Sequence, residues 1–190
     1  PKCLIKVGGI PILQHWLNHL EEMGVESAMI NTHYLHEKVH NFITEQQNNM
    51  KINIFESYEK KILGTAGTLI KNKIFLKGST GLLIHADNYT RANLYGLIEK
   101  HRNRPKNCLL TMLTFNTDTP HSCGIITTDK NGVVQGFHEK VSNPPGNKAN
   151  GAVYVFDEDL IDWITKFSPE AEDFSTDILP RLIGRIATWD

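Results

Sequence analysis

Apolar residues recur at helical spacing in some stretches of this chain and in short unbroken runs in others, and the two patterns alternate. Ile12, Leu13, Trp16, Leu17 and Leu20 line one face of a helix that Pro11 opens and Gly24 stops. A strand is predicted over 25–30, with Asn31, Thr32, His33 and Tyr34 as the loop after it. A second helix over 36–47 turns Val39, Phe42 and Ile43 inward, and 52–55 is a short strand. The glycines at 64 and 67 mark a turn into a helix carrying Leu69 and Ile70. A strand over 82–85, a helix over 94–101, a polar loop over 102–107 and a long strand over 108–115 come next. The strands predicted over 125–128 and 133–139 are joined by Asp129, Lys130, Asn131 and Gly132, and Asn-Gly between apolar runs is a strong hairpin signal. Pro144, Pro145 and Gly146 make 142–147 a loop. A strand over 151–156 and helices over 160–167 and 176–183 complete the pattern. Strands alternating with helices predict βαβ units and right-handed crossovers. The expected class is α/β: a Rossmann-like mixed, mostly parallel sheet flanked by helices, with a small β-hairpin lobe.

Composition narrows the function classes. The 190 residues suffice for one domain, expected to span 1–190. A formal charge of -1 gives no field for nucleic acid or anionic lipid. No apolar run approaches the roughly 20 residues that span a bilayer, and no signal-peptide pattern opens the chain. Cys3, Cys108 and Cys123 are widely spaced and form no metal-type pair, which fits a reducing, cytoplasmic setting. The chain starts at Pro1 and stops at Asp190, just after an apparent strand begins. Truncation at both ends is therefore expected.

The densest chemistry lies in Leu82-Leu83-Ile84-His85-Ala86-Asp87-Asn88, where an apolar run ends in one carboxylate. Open α/β sheets bind ligands at the carboxyl edge of their strands, and an Asp there can hold a divalent cation against phosphate oxygens. Upstream stands the Gly-rich Leu63-Gly64-Thr65-Ala66-Gly67-Thr68; downstream stands Phe137-His138-Glu139-Lys140. A Gly-rich turn, a metal-type Asp and a Lys after a strand point to nucleotide-phosphate chemistry.

These segments, with Pro1-Lys2, Gly9-Ile10-Pro11-Ile12, Gly124-Ile125-Ile126, Asn150-Gly151-Ala152-Val153-Tyr154 and Asp177-Ile178-Leu179-Pro180-Arg181-Leu182, resemble the sugar-nucleotide pyrophosphorylases over nearly the whole chain. These are nucleotidyltransferases acting on sugar 1-phosphates, and the look is closest to the mannose- and heptose-1-phosphate guanylyltransferase branch. The resemblance implies attack of a sugar 1-phosphate oxygen on the α-phosphorus of a nucleoside triphosphate, with pyrophosphate leaving and Mg²⁺ bridging phosphates. It further implies Lys2 at the phosphates, and Leu63, Gly64, Thr65, Ala66 and Gly67 at the base and ribose. Asp87 is then the metal ligand, and Gly124, Glu139 and Asn150 lie at the sugar. Lys140 holds the sugar phosphate. Lys2, Asp87 and Lys140 form the catalytic set.

Each residue has a plainer alternative. These are a terminal Lys, a strand-to-helix turn at 64–67 and an N-cap at Asp87. Gly124 can be a bulge, Glu139 and Lys140 a solvated strand end, and Asn150 a cap. Asp177 matches a family Asp and can also simply order the helix start near Ser175. Ala86 stands where the family usually has Gly. The family's Gly-x-Gly-x-Arg-Leu loop does not occur in the chain, nor does an Ile-Gly-Thr-Pro run with its second metal-binding Asp; Asp190 is not taken as that residue. The 190 residues alone are therefore expected to be inactive or nearly so. The nine histidines, including the His15/His19 and His33/His36 pairs, offer no third zinc ligand by spacing and read as solvated faces, while His85 reads as a core or supporting residue. The competing functional readings are a non-catalytic regulatory module that binds nucleotide or sugar phosphate and, lower, a glycosyltransferase. Neither the base nor the sugar is legible, and homo-oligomerisation stays open.

Overall fold

Residues 1–190 are described by the structure, a computed structural model, and they partition into two units, Pro1–Ile62 with His85–Ala92 and Leu63–Ile84 with Asn93–Asp190. In the first unit a two-strand ribbon, β1 (Lys6–Val7) and β2 (Ile10–Pro11), leads into α1 (Ile12–Glu22). The predicted apolar stripe of α1 is its buried face: Ile12, Leu13, Trp16, Leu17 and Leu20 are all inside. The helix ends in a Schellman motif, in which Gly24 N–H donates to Glu21 O and Val25 N–H to Leu20 O, with Gly24 at φ +74°. The next elements are β3 (Ser27–Thr32), α2 (His36–Gln47) and β4 (Asn53–Tyr58). β3 and β4 pair in parallel through the α2 crossover, and α2 buries Val39 and Ile43.

The second unit runs through α3 (Gly64–Lys71), β5 (Gly81–Ile84), α4 (Leu94–Arg102), β6 (Leu110–Asn116), β7 (Gly124–Thr128) and β8 (Val134–Glu139). It continues with β9 (Lys148–Phe156), α5 (Glu158–Phe167) and β10 (Ile186–Trp189). The sheet is mixed and is organised by β9. One edge of β9 takes β6 along its length, antiparallel, and β10 adds to β6 in parallel. The other edge is shared: Ala149 faces β7, and Val153–Phe156 face β5. The partner changes at Asn150, Gly151 and Ala152. There the β6 register also slips between Met112 and Thr114, and Ala152 sits at φ +53°. The β7–β8 hairpin predicted from Asn131-Gly132 forms, with Gly124 opposite Glu139.

Met112, Tyr154, Phe156, Leu160, Ile164 and Phe174 are among the fully buried residues at the centre of the core. The helix expected over 176–183 is absent as such. A π-turn covers Phe174–Ile178 and a 3-10 turn Leu179–Leu182. Pro180 has no N–H to donate back to residue 176 and its ring crowds that carbonyl, so the α ladder cannot pass through it.

One buried polar cluster makes stability depend on pH. His101 is 2% exposed; its Nδ1 lies 2.9 Å from Thr111 Oγ1 and its Nε2 3.3 Å from Asp157 Oδ2. Arg104 Nη2 and Thr80 Oγ1 each donate to Asp157 at 2.7 Å. Burial, helped by the Arg104 cation and opposed by Asp157, pulls the imidazole from its ordinary 6.5 down to about 4. Between those values the unfolded chain binds the proton and the folded chain does not, so stability falls as pH falls through that window. The expected loss from pH 7 to about 4.5 is on the order of 1–3 kcal/mol after screening by solvent. Urea midpoints measured across that range show it, and His101→Gln flattens the profile. Asp157 does not contribute there. Burial would raise its carboxyl, but the hydrogen bonds from Thr80 and Arg104 hold it below the ordinary 3.8, so its own loss lies at lower pH.

Candidate functional site

In the first unit α1 fixes two segments at once. Ile12 N–H donates to Ile5 O and His15 Nε2 to Val7 O, which ties down the chain that follows the Lys2–Leu4 turn. From the same helix the Trp16 indole donates to Asn88 O at 2.7 Å, and His15 meets Tyr89 edge-on at 5.0 Å. Asp87 is thus an exposed residue in a loop held on its carboxyl side, closed by Asn88 N–H on His85 O. It is not the cap of α4, a role taken by Asn93, whose side chain accepts from Gly96 N–H. Lys2 is exposed. Burial raises the neighbouring Cys3 thiol and the Asp87 carboxylate adds to the rise, so the Lys2–Cys3 turn lies within electrostatic reach of Asp87. His85 Nε2 is buried without a hydrogen-bond partner. His40 is solvated on α2, as expected, and its Nδ1 donates to Glu56; half-buried His33 is engaged, its Nδ1 donating to Glu59 O, each bond at 2.7 Å.

In the second unit the Gly-rich turn at Leu63, Gly64, Thr65, Ala66 and Gly67 opens α3, and a distant loop occupies part of it. Ala66 N–H and Gly67 N–H donate to Glu172 O at 2.9 and 3.4 Å, and Phe174 N–H donates to Thr65 Oγ1 at 2.8 Å. Two of the amides expected to face a nucleotide are therefore bonded within the protein. Asp177 holds that loop: its Oδ2 accepts from Glu172 N–H and Asp173 N–H, and those bonds lower its carboxyl. The start of the π-turn itself is capped by Asp173.

The hairpin end brings Gly124, Glu139 and Lys140 together. Gly124 is not at a bulge, since the irregularity of this hairpin lies at Thr127 and Thr128. A side chain at 124 would meet Glu139 Oε2 at 2.6 Å and the Phe137 ring at 3.0 Å, so a larger residue there would displace the Glu139 carboxylate from its present place. Lys140 is left-handed at φ +48°, with its N–H on Cys123 O at 3.2 Å. A non-glycine residue there costs about 1–2 kcal/mol. Its Nζ is 3.5 Å from Glu139 Oε1, and the lysine side chain is 66% exposed. An exposed pair of this kind contributes little to folding, so the strain and the charge point to a use outside the fold.

Asn150 lies inside β9, not before it as the sequence pattern suggested. Its Nδ2 donates to the Tyr154 hydroxyl at 2.7 Å and its Oδ1 accepts Ala152 N–H at 2.9 Å. Tyr154 was not among the predicted site residues; the signal for it was the same-face spacing of 150, 152 and 154 on one strand. Asp190 accepts from Thr114 and pairs with Lys148 at 3.0 Å, bonds that lower its carboxyl, Lys148 first.

Mg²⁺ takes one or two carboxylates and completes its shell with phosphate oxygens and water. A single exposed carboxylate on an anchored loop is a donor set of that kind. No three His, Cys, Asp or Glu side chains converge into an all-protein cage, so an ion at Asp87 would share its shell with the phosphates.

The family model described as nucleotidyl transferase matches residues 1–188. The mannose-1-phosphate guanylyltransferase of Mycobacterium tuberculosis is 27% identical over 188 residues, covering 97% of this chain and 50% of that protein. The UTP–glucose-1-phosphate uridylyltransferase of a Synechocystis strain is 26% identical, covering 96% of this chain and 50% of that protein. This chain spans about half the length of the curated relatives it matches. Among solved structures, HddC from Yersinia pseudotuberculosis superposes with a TM-score of 0.82 at 19% identity, over 100% of this chain and 80% of that one, which shows a shared fold. No helix here is long and apolar enough to cross a membrane. With a family match over nearly its whole length and the same fold in solved structures, the chain belongs to the nucleotidyl transferase family.

Proposed function

We propose that this protein transfers a nucleotidyl group from a nucleoside triphosphate to a sugar 1-phosphate. A phosphate oxygen of the sugar 1-phosphate bonds to the α-phosphorus, the bond from that phosphorus to the bridging oxygen breaks, and pyrophosphate leaves. Such transfer needs positioning and neutralised charge more than covalent help. The observation that carries the reading is Lys140, an exposed cation held in a strained backbone beside Glu139, which lies opposite Gly124. Lys140 holds the sugar phosphate as a point charge, while Glu139 and Asn150 receive and give hydrogen bonds to sugar hydroxyls beside Gly124. Lys2 meets the triphosphate. Leu63, Gly64, Thr65, Ala66 and Gly67 border the base and ribose, through groups other than the two amides already bonded to Glu172. Asp87 holds Mg²⁺, which when bound neutralises phosphate charge as it develops. The names of the relatives favour GTP with mannose 1-phosphate as the first pair to assay. The product is an activated sugar of the kind that cell-surface polysaccharide synthesis consumes, and a cytoplasmic setting is supported by the three free cysteines.

The test is pyrophosphate release by the full-length protein with Mg²⁺, each nucleoside triphosphate and a panel of sugar 1-phosphates. Release with one pair supports the reading; nucleotide binding without release from any pair sinks it. Lys140→Ala is expected to lower kcat/KM for the sugar 1-phosphate by about 100-fold, or roughly 2.7 kcal/mol. Lys140→Arg recovers only part of this, because a planar fork does not replace a compact ammonium. Equal losses toward both substrates would assign Lys140 elsewhere.

A further inference from the structure

Tyr154 is fully buried, so it touches no substrate. Burial pushes its phenol up to about 12, against hydrogen bonds from Asn150 and Ser175, so the hydroxyl stays protonated at neutral pH. The Phe174 ring packs against the Tyr154 ring, with centroids 4.9 Å apart. What the hydroxyl does is receive Asn150 Nδ2–H at 2.7 Å. The other end of the same carboxamide receives Ala152 N–H at 2.9 Å. A carboxamide has two donors and two acceptor sites. One donor and one acceptor of Asn150 are taken inside the protein. Ala152 N–H fixes which end is oxygen, since a flipped amide would set donor against donor. The Tyr154 hydroxyl fixes the plane. One N–H and one lone pair of the carboxamide are not used by these two bonds, on a half-buried side chain. That is the complement of a sugar hydroxyl, which both donates and accepts. The arrangement sits where β9 changes partner and Ala152 adopts φ +53°, so the backbone is bent at the point where the carboxamide needs it.

Building on the reaction proposed above, we infer that Tyr154 is a positioning residue for the sugar: through its bond to Asn150 it sets the orientation of the carboxamide that reads a sugar hydroxyl. A core tyrosine whose hydroxyl is merely satisfied would affect stability alone, and kinetics separate the two roles. In the full-length protein with GTP and mannose 1-phosphate, Tyr154→Phe is expected to raise KM for the sugar 1-phosphate about threefold to tenfold, the size of one lost hydrogen bond. KM for GTP stays within about twofold. Asn150→Ala produces a rise at least as large, and the double variant is no worse than Asn150→Ala, because the two residues act as one unit. An unchanged sugar KM in Tyr154→Phe, a shift of both KM values together, or effects that multiply in the double variant would each overturn the inference. Should Tyr154→Phe not fold, Asn150→Asp tests the pair from the other end. Its carboxylate keeps the Ala152 bond but cannot donate to Tyr154, so the same selective rise is expected and an unchanged KM refutes positioning. Wild-type protein that releases no pyrophosphate with any pair overturns the reaction and this inference together, whereas an active wild type with a neutral Tyr154→Phe overturns the inference alone.

Discussion

Asp87→Ala is expected to cut pyrophosphate release by the full-length protein about 1000-fold or more while leaving its unfolding midpoint unchanged. The two halves of that result come from the same geometry. The loop carrying Asp87 is held by groups that are not the carboxylate: the Trp16 indole on Asn88 O, the His15 edge on Tyr89, and Asn88 N–H on His85 O. Removing the side chain leaves each of these in place, so the fold loses little. The carboxylate is the candidate ligand for the ion that neutralises phosphate charge, and a thousandfold corresponds to about 4 kcal/mol of transition-state stabilisation. Asp87→Asn separates charge from shape. It keeps the size and one oxygen but loses the negative charge, and it is expected to be nearly as inactive. Activity within about tenfold of wild type in either variant, with Mg²⁺ saturating, would remove Asp87 from the reaction.

The local elements of this fold were written plainly in the chain. The α1 stripe, the extent of α2 and the hairpin at Asn131-Gly132 follow from spacing and turn chemistry, and all three form. The features that shape the candidate site are less legible, for two physical reasons. Some are long-range: Glu172 lies more than a hundred residues after the turn whose amides it occupies, and no periodicity reports such a pairing. Others are backbone states that residue type conceals. Lys140 and Ala152 are left-handed without being glycine, and Asn150 joins a strand whose apolar run begins after it. Pro180 is the opposite case, a visible signal against the helix expected across it, one that outweighed the apolar spacing of Ile178, Leu179 and Leu182. The motif resemblance singled out Asp87, Glu139 and Lys140 as candidates without any of this geometry. It included Tyr154 in a motif but gave it no role, and the role inferred above rests on its bond to Asn150.

Gly64→Ala should be the most damaging single-methyl change in the second unit, lowering unfolding free energy by about 3–5 kcal/mol out of the 5–15 typical of a domain. Gly64 has φ +74°, and an added Cβ would lie 2.2 Å from Glu172 O and 2.7 Å from Glu172 C. Those are backbone atoms, so no rotamer change can relieve the overlap. Nor can the loop step back freely, since the same Glu172 carbonyl accepts Ala66 and Gly67 N–H, and Phe174 N–H is on Thr65 Oγ1. Moving it strips hydrogen bonds worth about 0.5–1.5 kcal/mol each from the start of α3, on top of about 1–2 kcal/mol for a left-handed alanine. Gly184→Ala is the control. Gly184 is also left-handed, at φ +81°, in the same unit, but nothing lies within 4 Å of the methyl it would gain. It should therefore lose only the conformational part. Denaturant unfolding of the two variants thus isolates the contact with Glu172. Equal destabilisation would mean that the loop yields, and that the glycine is needed for its backbone angle alone.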